Sequence, residues 1–153
     1  MKLPACSYVA DATHLEPGSI VRVEQPLSSS GKLTYPHFFI VLLIPEHVKA
    51  GDMIPCVGIS SRVDPKSADP AKHVAMKWLN RRGGDPETGF TTPCFACMDF
   101  THVLVVRAGS RYALEVAAED SGRFIRADKL HTVVATMNAW TRKGQTPPTP
   151  GGS

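Results

Sequence analysis

The stretch His37-Phe38-Phe39-Ile40-Val41-Leu42-Leu43-Ile44 is apolar at seven of eight positions, with Pro36 before it and Pro45 after it. Two prolines with eight residues between them leave too little room for a helix that pays its own nucleation. Phe, Ile and Val favour a pleated surface. A strand of this length with no polar alternation is one buried on both faces. It is also the longest apolar run in the chain, far short of the ~18 residues a membrane helix needs. The fold is therefore built around a central strand.

Outward from it, the neighbours alternate or turn. Pro17-Gly18 punctuates the chain before Ser19 to Glu24 (SIVRVE), an alternating strand. Ser28-Ser29-Ser30-Gly31-Lys32 reads as a small-residue, mobile loop. On the other side, Gly51-Asp52 turns into Met53 to Ser60 (MIPCVGIS), a third strand with its proline near the start. Ser61 to Lys72 holds two prolines and several charges and reads as loop. His73 to Trp78 is a short strand, and Asn80 to Thr92 a loop by composition. Pro93 to Val106 reads as strand with a break near Asp99. Ala108-Gly109-Ser110 signals a hairpin, and Gly122 to Ile125 one last short strand.

The convincing helix is Ala127 to Thr141. Leu130, Val133, Val134, Met137 and Trp140 form one stripe, and Asp128 lies in the first turn, where the helix dipole favours an acid. The fold expected is mainly β: a small, bent antiparallel barrel of about six to eight strands with a C-terminal helix. Residues 1–16 read as a loosely attached arm, 17–141 as the domain and 142–153 as a disordered tail.

The chain's 153 residues, 42% hydrophobic and 20% charged, fit one soluble domain and exclude a disordered chain or a coiled coil. Thirteen Pro and twelve Gly argue against a helix bundle. A net charge of +3 permits an anionic partner without demanding one. Four cysteines and no signal-peptide pattern predict reduced thiols in the cytoplasm.

Chemical motifs are sparse. Cys94-Phe-Ala-Cys97 has the spacing of a zinc or redox pair, but in a strand its sulfurs face opposite ways, so buried structural thiols are expected. Six histidines are scattered without HxH or HxxxH spacing, and only folding could assemble them into a metal site. No phosphate loop, dinucleotide fingerprint or nucleophile elbow occurs. Basic residues fall in loose groups: Lys72, Lys77, Arg81 and Arg82; Arg107 and Arg111; Arg123, Arg126 and Lys129.

In order, Pro17-Gly18-Ser19-Ile20-Val21, Tyr35-Pro36 with its apolar strand, Val57-Gly58-Ile59-Ser60-Ser61-Arg62, Thr88-Gly89-Phe90, Gly122-Arg123-Phe124 and the final helix resemble the PemK/MazF family of toxin endoribonucleases. The resemblance spans about residues 16–141. It implies an SH3-like barrel, a homodimer, single-stranded RNA as substrate, an antitoxin peptide as partner, and neither metal nor cofactor. The implied reaction is attack of a ribose 2′-OH on the adjacent phosphate, which needs a proton acceptor, a proton donor and a group on the phosphate. Carried over by position, Ser60 stands for the family's phosphate-contacting Thr, and Asp99 lies near an acidic position, so these two are the candidate catalytic residues. Lys32, Tyr35, Arg62 and His102 are the candidate substrate-binding residues. Tyr35 stands where the family has its key Arg, and a phenol does not reproduce a guanidinium's fork on phosphate. That departure keeps a second reading open: a catalytically inactive barrel that binds RNA or a protein partner.

Overall fold

The computed structural model describes residues 9–24, 27–28, 31–32, 37–81, 88–109, 111–114 and 118–143. For residues 27–28, 31–32, 77–81, 88–93 and 120 it describes the backbone alone. The elements are β1 (Ser19–Val23), β2 (Leu27–Ser28), β3 (Gly31–Lys32), β4 (His37–Val41), β5 (Met53–Ser60), β6 (His73–Arg81), β7 (Thr88–Val105), β8 (Ala118–Phe124) and α1 (Ala127–Arg142). The protein is mainly β, antiparallel, with one C-terminal helix. Six strands pair in the cyclic order β1-β4-β5-β7-β6-β8, and β8 pairs again with β1. The seam between β6 and β8 is only two residue pairs, Asn80 with Phe124 and Arg81 with Arg123. No helix among the described residues is long and apolar enough to cross a membrane.

Period-2 alternation sorts the strands onto two faces. One face carries Val21, Val23, Phe39, Val41, Ile54, Cys56, Leu104 and Val106 in a single apolar cluster. The other carries Ile20, Ile40, Val57, Ile59, Val74, Met76, Ala96 and Met98, and packs against Val133 and Trp140 of α1. The central strand is buried on both faces, as its composition predicts: Phe39 belongs to the first cluster and Ile40 to the second, and both have no exposed surface. It ends at Val41, earlier than expected, and Leu43 is half exposed.

Gly18 ties strand to helix. Its amide donates to Val41 O and its carbonyl accepts from Ile125 N, at φ +93°, where a side chain is strained.

Five expectations need correction. From Val9 onward the N-terminal stretch is not loosely attached. Ala10, Ala12 and Leu15 are core residues, and Ala10 N donates to Ala118 O. Asp11 caps the short 3-10 turn Ala12–His14 by accepting from Thr13 N at 2.9 Å. Alanines bury without leaving a hydrophobic period, so the packing is invisible in sequence. The loop expected over Asn80 to Thr92 is strand at both ends, since β6 runs to Arg81 and β7 starts at Thr88, and 82–87 lie outside the described residues. The last strand begins at Ala118, not Gly122. In the serine-rich loop, Leu27 pairs with Lys32 and Ser28 with Gly31, forming a two-stranded ladder. The tail expected from Arg142 begins inside the helix, and 144–153 lies outside the described residues.

Candidate functional site

The site is set by an irregularity in β7. Val57 of β5 pairs with Thr101, but the next residue, Gly58, pairs with Cys97. Residues 98–100 therefore bulge out of the ladder. Three extra residues are an odd number, so the bulge inverts which face each side chain takes. Up to Met98, the even positions Cys94, Ala96 and Met98 pack toward α1. From Phe100 onward, the even positions Phe100 and Leu104 pack on the opposite face. Phe100 lies over Gly58, where a Cβ would stand 2.1 Å from its ring. Phe39 and His37 flank that ring at 5.1 and 5.2 Å between centroids.

Beyond the bulge, the face opposite α1 is polar where β5, β7 and β6 run side by side. Ser60 pairs with Phe95, His73 with Cys97, and Ala75 with Phe95. Alternation puts Ser60, His73, Ala75, Phe95, Cys97 and Asp99 on this one surface. Ala75 and Asp99 are exposed, Ser60 and His73 are half-buried, and Phe95 and Cys97 are buried. The rings of His73 and Phe95 meet edge-on at 6.2 Å. The loop from Ser61 to Lys72 joins β5 to β6 and carries the exposed Arg62 and Lys66. It is pinned by Met98 N donating to Lys72 O at 2.8 Å and by Asp69 N donating to His73 Nδ1 at 2.9 Å.

Ser60 stands at the end of β5, its Oγ accepting from Arg62 N at 3.1 Å. Asp99 lies four residues past Ser60's partner Phe95, within the bulge, and forms an ion pair with Lys72 at 3.5 Å. Among the described residues no hydrogen bond joins Ser60 to Asp99. His102 is 2% exposed, with its ring 5.3 Å from that of Phe39. Neither of its nitrogens has a hydrogen-bond partner among the described residues. Burial holds its pKa down at about 4. A side chain sealed in this way does not line a substrate surface. The bulge removes the opposite-face obstacle between Asp99 and His102, yet leaves one in solvent and the other in the core. Arg62 is exposed beside Ser60. Tyr35 lies outside the described residues; Lys32 pairs through its backbone in β3, and its side chain is outside them.

Cys94 and Cys97 are both buried and outside any disulfide, and Cys97 Sγ donates to Phe95 O at 3.6 Å. Cys94 packs toward α1, so the CxxC pair diverges as strand geometry predicts. Cys97 instead joins His73 and Asp99, with one donor atom from each within 4.8 Å of the others. Sequence reasoning missed this trio, because His73 meets Cys97 only through strand pairing. The one local signal was Cys97-x-Asp99, two donors on one face of a strand.

No family model matches the chain, and no curated protein or solved structure shows a significant match.

Proposed function

We propose that this chain binds single-stranded RNA on the polar face of β5, β7 and β6 and does not cut it. The observation that carries the reading is the composition of that face: a hydroxyl (Ser60), a half-buried imidazole (His73) that meets the buried Phe95 ring edge-on, and cations in the loop that joins β5 to β6 (Arg62, Lys66, Lys72). Single-stranded nucleic acids are held by such combinations of rings for bases and cations for phosphates. The net charge of +3 favours a polyanion, and the order of segments resembling the PemK/MazF toxins supports the same substrate class. The burial of His102 and the ion pair between Asp99 and Lys72 speak against the cleavage reaction of that family.

The test is fluorescence anisotropy with a labelled mixed-sequence RNA in EDTA, followed by a gel of the same RNA. If three cations contact phosphates, a slope of about −0.7 per contact weakens binding roughly 20-fold between 50 and 200 mM salt. The combined variant Arg62→Ala, Lys66→Ala is expected to flatten that slope, with the RNA intact throughout. Cutting by the parent that Ser60→Ala abolishes would replace this reading with the nuclease one. Absence of both binding and cutting would rule out RNA as the partner.

A further inference from the structure

We propose that His73, Cys97 and Asp99 form a three-ligand zinc site, with a water or an incoming ligand in the fourth position. This inference does not rest on the RNA reading. The three donor atoms lie within 4.8 Å of one another, and the backbone dictates their meeting. His73 is the register partner of Cys97 on the neighbouring strand, and Asp99 is two residues on, so all three face one way.

The donor set selects the metal. One imidazole nitrogen, one sulfur and one carboxylate oxygen suit a borderline-soft divalent ion, whereas calcium and magnesium take oxygen ligands. Zinc bonds of about 2.0–2.3 Å in a tetrahedron place donors roughly 3.3–3.8 Å apart. The contraction required is about 1 Å, and the exposed Asp99 is the member free to supply it. Three protein ligands with one open position is the pattern of exchangeable or catalytic zinc.

Two neighbours oppose the ion, and each yields a specific expectation. Lys72 Nζ lies 3.5 Å from Asp99 Oδ2 and occupies the carboxylate as a rival cation. The Asp69 amide donates to His73 Nδ1, so the neutral ring keeps its proton on Nε2 and its one lone pair is already engaged. Ligation through Nδ1 displaces that amide directly. Ligation through Nε2 moves the ring proton to Nδ1, which then no longer accepts. Either way zinc releases the Asp69 amide. The metal must also displace the Cys97 thiol proton, which burial and the nearby Asp99 hold on, against the pull of Lys72, up to about pH 11.

The full chain is titrated with Co²⁺ as a spectroscopic probe, then with Zn²⁺ to displace it. One equivalent is expected to produce a thiolate-to-cobalt charge-transfer band, absent in Cys97→Ser. Asp99→Asn should weaken binding about 10-fold or more, while Lys72→Gln should tighten it about two- to fivefold by removing the rival cation. Zinc should accelerate exchange of the Asp69 amide hydrogen. No band in the parent, or a band that survives Cys97→Ser and disappears on changing another cysteine, overturns the site. Should Cys97→Ser fail to fold, the two surface variants decide: unchanged affinity in both overturns it equally.

Discussion

Replacing Gly58 by Ala adds one methyl group where the structure has no room for it. The new Cβ would stand 2.1, 2.5 and 2.9 Å from three ring carbons of Phe100. Carbon atoms rest about 3.5–4.0 Å apart, so the ring must retreat by roughly 1.4 Å. It is held between Phe39 and His37 on the apolar face of the sheet, and overpacking at such a site costs about 1–3 kcal/mol. Gly58 does not adopt the left-handed backbone, so the cost is one of space alone. That distinction sets the sign of the second measurement. In a Phe100→Ala background the space is open, and the same Gly58→Ala change should stabilise by about 0.4–1 kcal/mol, because alanine restricts the unfolded chain. Urea denaturation of the four proteins in this cycle gives the coupling directly, with an expected value of about 2–3 kcal/mol. If Gly58→Ala costs the same with and without the Phe100 ring, the close approach is not the reason for glycine there.

His102→Leu should stabilise the protein by about 1 kcal/mol at pH 7, since it removes buried nitrogens that have no partner. The depressed pKa also makes the parent's stability fall as pH drops from about 6.5 to about 4, because only the unfolded chain takes up the proton over that range. The contribution is about 3 kcal/mol, and acid titration of His102→Leu should lack it. Asp11→Ala should cost about 1–2 kcal/mol by removing the cap on Thr13. Burial alone would raise the Asp11 carboxyl, but the Thr13 bonds, His14 and Arg111 outweigh it and hold the pKa low. Its stabilising effect is thus present above the ordinary carboxylate range and lost as pH falls through the lowered value. Thermal melts of parent and variant should converge in acid.

What was legible in the sequence is what local chemistry decides. The bounds Met53 to Ser60 follow from a turn on one side and a proline-rich, charged loop on the other, and they match β5. The helix stripe is equally local: Val133 and Trp140 are buried where the 3.6-residue period puts them. The extension of β6 to Arg81 and the start of β7 at Thr88 were not legible. Arg81-Arg82-Gly83-Gly84-Asp85-Pro86 has loop composition, and strand structure at its edges comes from partners elsewhere in the chain. At the site, a break near Asp99 could be read, but not its length. Because the number of bulged residues is odd, Asp99 and His102 share a face, and burial, not facing, separates the sealed His102 from the exposed Asp99. The meeting of His73 with Cys97 depends on the same long-range register.

The bulge also governs where the gene could change length. A single codon gained or lost within 94–97 or 101–105 would turn every later side chain of that segment over, sending Leu104 or Ala96 to the wrong face. Residues 98–100 stand outside the ladder to β5, so a change in pairs of residues there would keep the parity of both halves. β7 is thus two half-strands joined by an adjustable splice, and length variation in descendants of this chain should accumulate at that splice.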